Sequence, residues 1–373
     1  MSSTYPAGEK DCRFDCVSLG EVMLRFDPGC ERIRETENFH VWEGGGEYNV
    51  SRSLSRCFGM KTTVVTALVD NEIGRLLERL IEKGRVDTSF IRWIPFDGTG
   101  MKARNGLNFT ERGFGLRGAI GVSDRGHTAA ASMQAGDVDW KELFERQGAR
   151  WLHVGGIFAA LGPGTAELTL EACRAAKAAG AVVSCDLNYR SSLWERDGFD
   201  AAKVQETLRA VVAHTDYLLG SQFDYEKCLG LAFTERAEGS PLSDEALFRA
   251  SSPLVAERFP NLRALVMTLR KVRSASVNDW AAIGLQDGRF VYSREFQHLE
   301  ILDRVGGGDG FASGLIYGLM RYGELSTALD YGIAHGALSM TTPGDTSIAT
   351  LREVESLLSS VPDVEGAALR TAG

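Results

Sequence analysis

"DRVGGGDGFASGL" (Asp303–Leu315) puts three glycines directly in front of one aspartate. The residues before it, "HLEILDRV", read as the end of a strand, and "GFASGLIYGLMRYG" reads as a helix, so the glycines occupy a strand-to-helix turn. A helix N-terminus offers unpaired backbone N–H groups and a partial positive charge. Glycines let that backbone approach an anion without Cβ interference. Phosphate is the usual guest of such a turn.

Three readings of the turn compete. "GDGFASG" (Gly308–Gly314) is one residue longer than the dinucleotide fingerprint G-x-G-x-x-G, which opens a βαβ unit with an acidic residue about 20 positions on. Here the following segment, "STALDYGIAHGAL", reads as helix. The second reading is a glycine-rich turn that serves helix packing. The third is phosphoryl transfer, with the glycine N–H groups holding the migrating phosphate and Asp309 as base for the attacking hydroxyl. No Walker-type G-x-x-x-x-G-K-[ST] occurs anywhere in the chain.

Outward from this turn, the sequence predicts an α/β fold. "FDCVSLGEVMLRF" (Phe14–Phe26) reads as one strand and "TTVVTAL" (Thr62–Leu68) as another. The helical period of "NEIGRLLERLIEKG" follows, then a third apolar run, "VDTSFIRW", completing a βαβ unit and implying a parallel sheet. The pattern returns in "WLHVGGI", in the helix "GPGTAELTLEACRAAKAAG", and in the strands "AVVSCDLN", "TDYLLGS" and "RALVMTL". These strands are apolar without alternation, as expected when both faces are covered. "AAIGLQDGRFVYS" carries Asp287-Gly288 between apolar runs and predicts a hairpin. Two glycine- and threonine-rich regions, roughly 21–49 and 98–133, lack helical period and predict strands projecting from the main sheet as a lid. The tail from Pro362 reads as frayed.

Composition narrows the function. The chain has 373 residues, 44% of them hydrophobic, enough for a substantial core in one unit spanning 1–373. A net charge of −9 without any basic block argues against nucleic acid. No apolar run approaches membrane-spanning length, and the opening "MSSTYPAGEKDCRFDC" has no apolar leader, so no membrane partner is expected. Seven scattered cysteines without C-x-x-C spacing read as reduced thiols of a cytoplasmic protein.

The signature "DRVGGGDGFASGLI" resembles the C-terminal motif D-x-x-G-x-G-D of the ribokinase-like (PfkB) carbohydrate kinases. "GGGEYNVSRSLSRCFG" (Gly44–Gly59) is similar to that family's N-terminal G-G-x-x-x-N. "GEVMLRFDPG", "DLNYRSSLW", "TLRKVRSASVNDW" and "TPGDTS" look most like the 2-keto-3-deoxygluconate kinases. The resemblance implies a three-layer ribokinase-like fold with a mostly parallel central sheet and a small β-sheet lid. It implies ATP-dependent phosphorylation of a terminal hydroxyl on 2-keto-3-deoxygluconate or a close keto-acid sugar, with Mg²⁺, and a homo-oligomer formed through the lid. Asp309 would be the base and Gly306, Gly307 and Gly308 the anion hole. Gly44, Gly45, Asn49 and Asn108 would line the sugar, and Arg112 and Arg190 its carboxylate, because a guanidinium pairs with carboxylate in two-point fashion. Asn188, Ser221, Thr268, Arg270 and His335 would contact the nucleotide. Where relatives carry N-x-x-E for metal handling, this chain has Ser221 and Asp224, with Glu226 two residues on. A kinase of a neutral sugar (fructose, ribose, tagatose) and a non-catalytic sugar-binding relative remain the alternatives.

Overall fold

The computed structural model describes residues 12–233 and 244–359. Its centre is an eleven-stranded sheet. From one edge the order runs Arg289–Tyr292, Val277–Gln286, Ala264–Ser274, Tyr217–Leu219, Val182–Asp186, Ala149–Gly155, Phe14–Leu19, Thr62–Asp70 and Val86–Asp87. Pairing is parallel from Ala264–Ser274 to the Val86–Asp87 edge and antiparallel in the hairpin region beyond. Helices cover both faces, which is why the central strands read as continuous apolar runs. On one face Val50 and Leu54 of helix Gly46–Arg56 pack with Leu315 of helix Gly307–Tyr322 and Ala334 of helix Leu325–Ser339. On the other, Leu168, Val204 and Phe248 represent helices Pro163–Ala178, Ala201–Val212 and Asp244–Arg258.

Local chemistry explains individual boundaries. Asn71 caps helix Glu72–Lys83 by accepting from the Gly74 N–H at 3.0 Å. Asp287 and Gly288 have φ of 50° and 72° and turn the hairpin as the Asp-Gly pair demands.

A second sheet of four strands, in the order His40–Gly44, Met23–Asp27, Leu107–Glu111, Ile120–Asp124, stands apart as the lid. Here three expectations change. Phe14–Phe26 is two strands, one in each sheet, because the chain leaves the main sheet at Gly20–Val22. Residues 46–49, assigned to the lid from composition, begin the helix Gly46–Arg56, and Ala130–Ser132 is a short helical turn. "VDTSFIRW" divides into Val86–Asp87 and Ile91–Pro95. The reading of the tail from Pro362 concerns residues outside those described. Among the described residues all seven cysteines are free, and no helix is long and apolar enough to cross a membrane.

Lid and sheet are tied by charge. Arg25, on a lid strand and about 1% exposed, reaches Asp345 through Nη1 and Asp303 through Nη2, both at 2.5 Å, with Asp27 at 3.3 Å. Three carboxylates around one buried guanidinium fix the loop that leads into the signature helix.

Candidate active site

The parallel strands end in loops on one edge, where α/β folds place their ligands. A cavity of about 890 Å³ lies there, between the lid and the head of helix Gly307–Tyr322. Asp309 sits in the first turn of that helix, half-buried, and faces the cavity. Asn49 Nδ2 donates to Asp309 Oδ2 at 2.7 Å, while Asn49 Oδ1 accepts from the Gly45 N–H at 3.2 Å. The two glycine motifs therefore meet through one side chain. Burial pushes the Asp309 carboxyl up to about 7, helped by Asp345 and opposed by the Asn49 hydrogen bond and by Arg190.

The glycines of the turn differ in what they are for. Gly306 has φ 80°, and a Cβ there would lie 2.0 Å from the Asp345 carbonyl oxygen, so the fold itself requires glycine. A Cβ on Gly307 would meet the Met340 side chain at 2.9 Å, and Gly307 does not line the cavity. Gly308 has no left-handed φ and no atom within 4 Å of a Cβ, yet it lines the cavity. Nothing in the protein demands glycine there; its bare backbone opens on the cavity.

The remaining predicted residues separate in the same way. Gly45, Asn108, Asn188, Arg190, Ser221, Asp224, Thr268 and Arg270 line the cavity with Asn49, Gly306, Gly308 and Asp309. Asn108 is held by Thr110 and Ser123 at 3.0 Å each. Gly44 does not line it; its missing Cβ makes room for Asp345. Arg112 also lies outside: its strand ends at Glu111, and its Nε turns to buried Asp27 at 3.3 Å. His335 does not wall the cavity. It is fully buried between the last two long helices, Nδ1 within 2.8 Å of the Gly310 carbonyl and 2.9 Å of Ser313 Oγ, and burial lowers it to about 4.

Ser221 and Asp224 form a capping box on helix Gln222–Leu229. Asp224 Oδ2 accepts from the Ser221 N–H at 2.8 Å, and its Oδ1 accepts from the Tyr189 N–H at 3.1 Å. Glu226 is not among the cavity-lining residues and accepts from Gln222 Nε2 at 3.0 Å.

Asp186 and Arg125 are among the cavity residues left unassigned in the sequence. Asp186 ends the strand Val182–Asp186; burial, then the charges of Asp309 and Asp224, push it up to about 8. An acid as the last residue of an apolar parallel strand was the available signal. Arg125, in the loop after lid strand Ile120–Asp124, lines the cavity and donates no hydrogen bond to any described residue. Its Nε is buried 3.6 Å from Glu21 Oε2. A guanidinium so placed is short of an acceptor, as an anion-binding group is before its ligand arrives.

Asp186, Asp224 and Asp309 bring three carboxyl groups to the cavity wall, and this oxygen-donor chemistry fits a magnesium ion. No group of three His, Cys, Asp or Glu among the described residues is close enough to cage one, so an ion held mainly by phosphate and water fits best.

Comparison with known proteins agrees with this geometry. The chain is 27% identical over 345 residues to 2-dehydro-3-deoxygalactonokinase of Haloferax volcanii, covering 92% of this chain and 96% of that one. It is 25% identical to 5-dehydro-2-deoxygluconokinase of Clostridium perfringens, with 87% of each covered. The crystal structure of 2-dehydro-3-deoxygluconokinase from Thermotoga maritima superposes with a TM-score of 0.81 at 31% identity, over 93% of this chain and 99% of that one. The pfkB family carbohydrate kinase pattern matches residues 13–351, and the protein belongs to that family.

Proposed function

We propose that the protein transfers the terminal phosphoryl group of ATP to the terminal hydroxyl of 2-keto-3-deoxygluconate or a close keto-acid sugar. The observation that carries this reading is Asp309, hydrogen-bonded to Asn49, beside the bare backbone of Gly308 on the cavity wall. The acid-sugar part rests on Arg125 and Arg190, two guanidiniums lining the cavity, and on likeness to kinases of 2-dehydro-3-deoxy sugars. A neutral sugar would leave the buried Nε of Arg125 without a hydrogen-bond acceptor, 3.6 Å from Glu21.

The chemistry is positional. The sugar oxygen attacks the γ-phosphorus, its proton passes to Asp309, and the bond to the bridging oxygen breaks, ADP leaving with the electron pair. Gly308 presents bare backbone at the helix head to the migrating group. Magnesium, when bound, neutralises charge on the phosphates; Asp186 and Asp224 would hold it through its water ligands. The exposed Ile120 and Val122 on the outer lid strand support pairing of copies through the lid.

Turnover coupled to ADP release, run with 2-keto-3-deoxygluconate, 2-keto-3-deoxygalactonate, fructose and ribose, tests the assignment. The acid sugars are the expected substrates, and Arg190→Ala is expected to cost them at least about tenfold in kcat/KM, as loss of one charged contact does. Equal losses on acid and neutral sugars would remove the carboxylate reading.

A further inference from the structure

The cavity holds two more guanidiniums that the acid-sugar reading does not use. Arg270 extends from strand Ala264–Ser274 and Arg304 from the loop before the signature helix; both line the cavity. Neither makes a hydrogen bond or ion pair with any described residue. Their charges oppose each other: Arg270 is held below its ordinary value by burial and then by Arg304, and Asp244 offsets part of this.

The loop around Arg304 is clamped. Asp303 turns inward, about 2% exposed, where Arg25 holds its Oδ2. Its Oδ1 accepts from the Val305 N–H at 3.1 Å, and the Gly344 N–H reaches Oδ2 at 3.3 Å. The backbone on either side of Arg304 is thus fixed, with its side chain on the cavity wall. The strand roots Arg270 and the clamped loop roots Arg304 on the same cavity wall, with both side chains exposed to it, so an anion of several charges can take both and offset their repulsion.

We infer that Arg304 and Arg270 form a two-arginine clamp on the polyphosphate of the donor, with Arg304 contacting the phosphoryl group in transfer. Position decides the division of labour. Arg304 lies in the loop that runs directly into Gly306, Gly308 and Asp309 at the helix head, between which the migrating group must lie. Arg270 comes from the neighbouring strand and takes the remainder of the chain of phosphates. As charge spreads over the transferring oxygens, a fixed guanidinium gains more from the transition state than from bound ATP. Arg304 is then a catalytic residue, and this inference rests on the kinase reading above.

Arg304→Ala and Arg304→Lys, assayed with saturating sugar and varied MgATP, test it. Arg304→Ala is expected to lower kcat about 100-fold, the typical cost of one such donor, and to leave KM for the sugar unchanged, as when a contact made only in the transition state is lost. Arg304→Lys is expected to recover about tenfold, because charge returns without the planar fork. Melting temperature should not move, since Arg304 is exposed. Variants that turn over at the wild-type rate, or that lose only sugar affinity, would overturn the clamp while wild-type turnover keeps the kinase reading. A wild-type protein that phosphorylates no sugar with any nucleoside triphosphate would overturn both.

Discussion

As the proposed base, Asp309 has to be ionised to accept a proton, and its surroundings hold it near 7. Activity should therefore rise with pH through an acid limb centred about there. Asn49 works in the opposite direction, because its hydrogen bond favours the carboxylate. Asn49→Ala removes that preference, so the acid limb of kcat/KM is expected to move to higher pH; a pH–rate profile of the variant measures it, and an unmoved limb would separate Asn49 from Asp309. Residues such as Asp309 and Asn49 were legible in the sequence because their spacing is local to a glycine turn. Arg112 was not, because the direction of a side chain just past a strand end depends on which buried charge it meets. In this protein that charge is Asp27, and the lid guanidinium at the cavity is Arg125 instead.

At the scale of the element, the signature helix begins with glycines that carry separate duties. Gly308→Ala is expected to leave stability unchanged or improve it by up to about 1 kcal/mol, since alanine is the better helix former and nothing obstructs its methyl group. Its turnover should fall, because that methyl enters the part of the cavity that the proposed reaction assigns to phosphate. Gly306→Ala should do the reverse first: its φ of 80° and the Asp345 carbonyl destabilise the folded chain. Thermal melts beside turnover rates for the two variants check this division. The sequence predicted the parallel strands and this helix well, because both-face burial and helical period are local signals. It merged Phe14–Leu19 with Met23–Asp27, since a chain crossing from one sheet to another keeps its apolar character throughout.

Across the whole molecule, the site costs stability. Glu47, Asp186 and Asp309 are raised to about 7, 8 and 7, with burial as the first cause in each. A carboxylate whose folded value lies above its unfolded value stabilises the protein at low pH and loses that contribution as pH rises through the folded value. The buried His153 and His335, each lowered to about 4, act oppositely and penalise the fold as pH falls below the ordinary histidine range. The contribution of one acid is therefore best isolated by substitution. Asp186→Asn is expected to raise the melting temperature more at pH 8 than at pH 5, measured by calorimetry without ligand; an equal shift at both would mean Asp186 carries no such strain. Arg25 is the counterpart that joins lid to signature loop, and it escaped notice in the sequence because its three partners lie up to 320 positions away.

The most direct test of the whole account is the steady-state rate of Asp309→Asn with MgATP and 2-keto-3-deoxygluconate. The account predicts a fall of about 100- to 10,000-fold, the span of a lost general base, with the melting temperature retained. Turnover at the wild-type rate would contradict it.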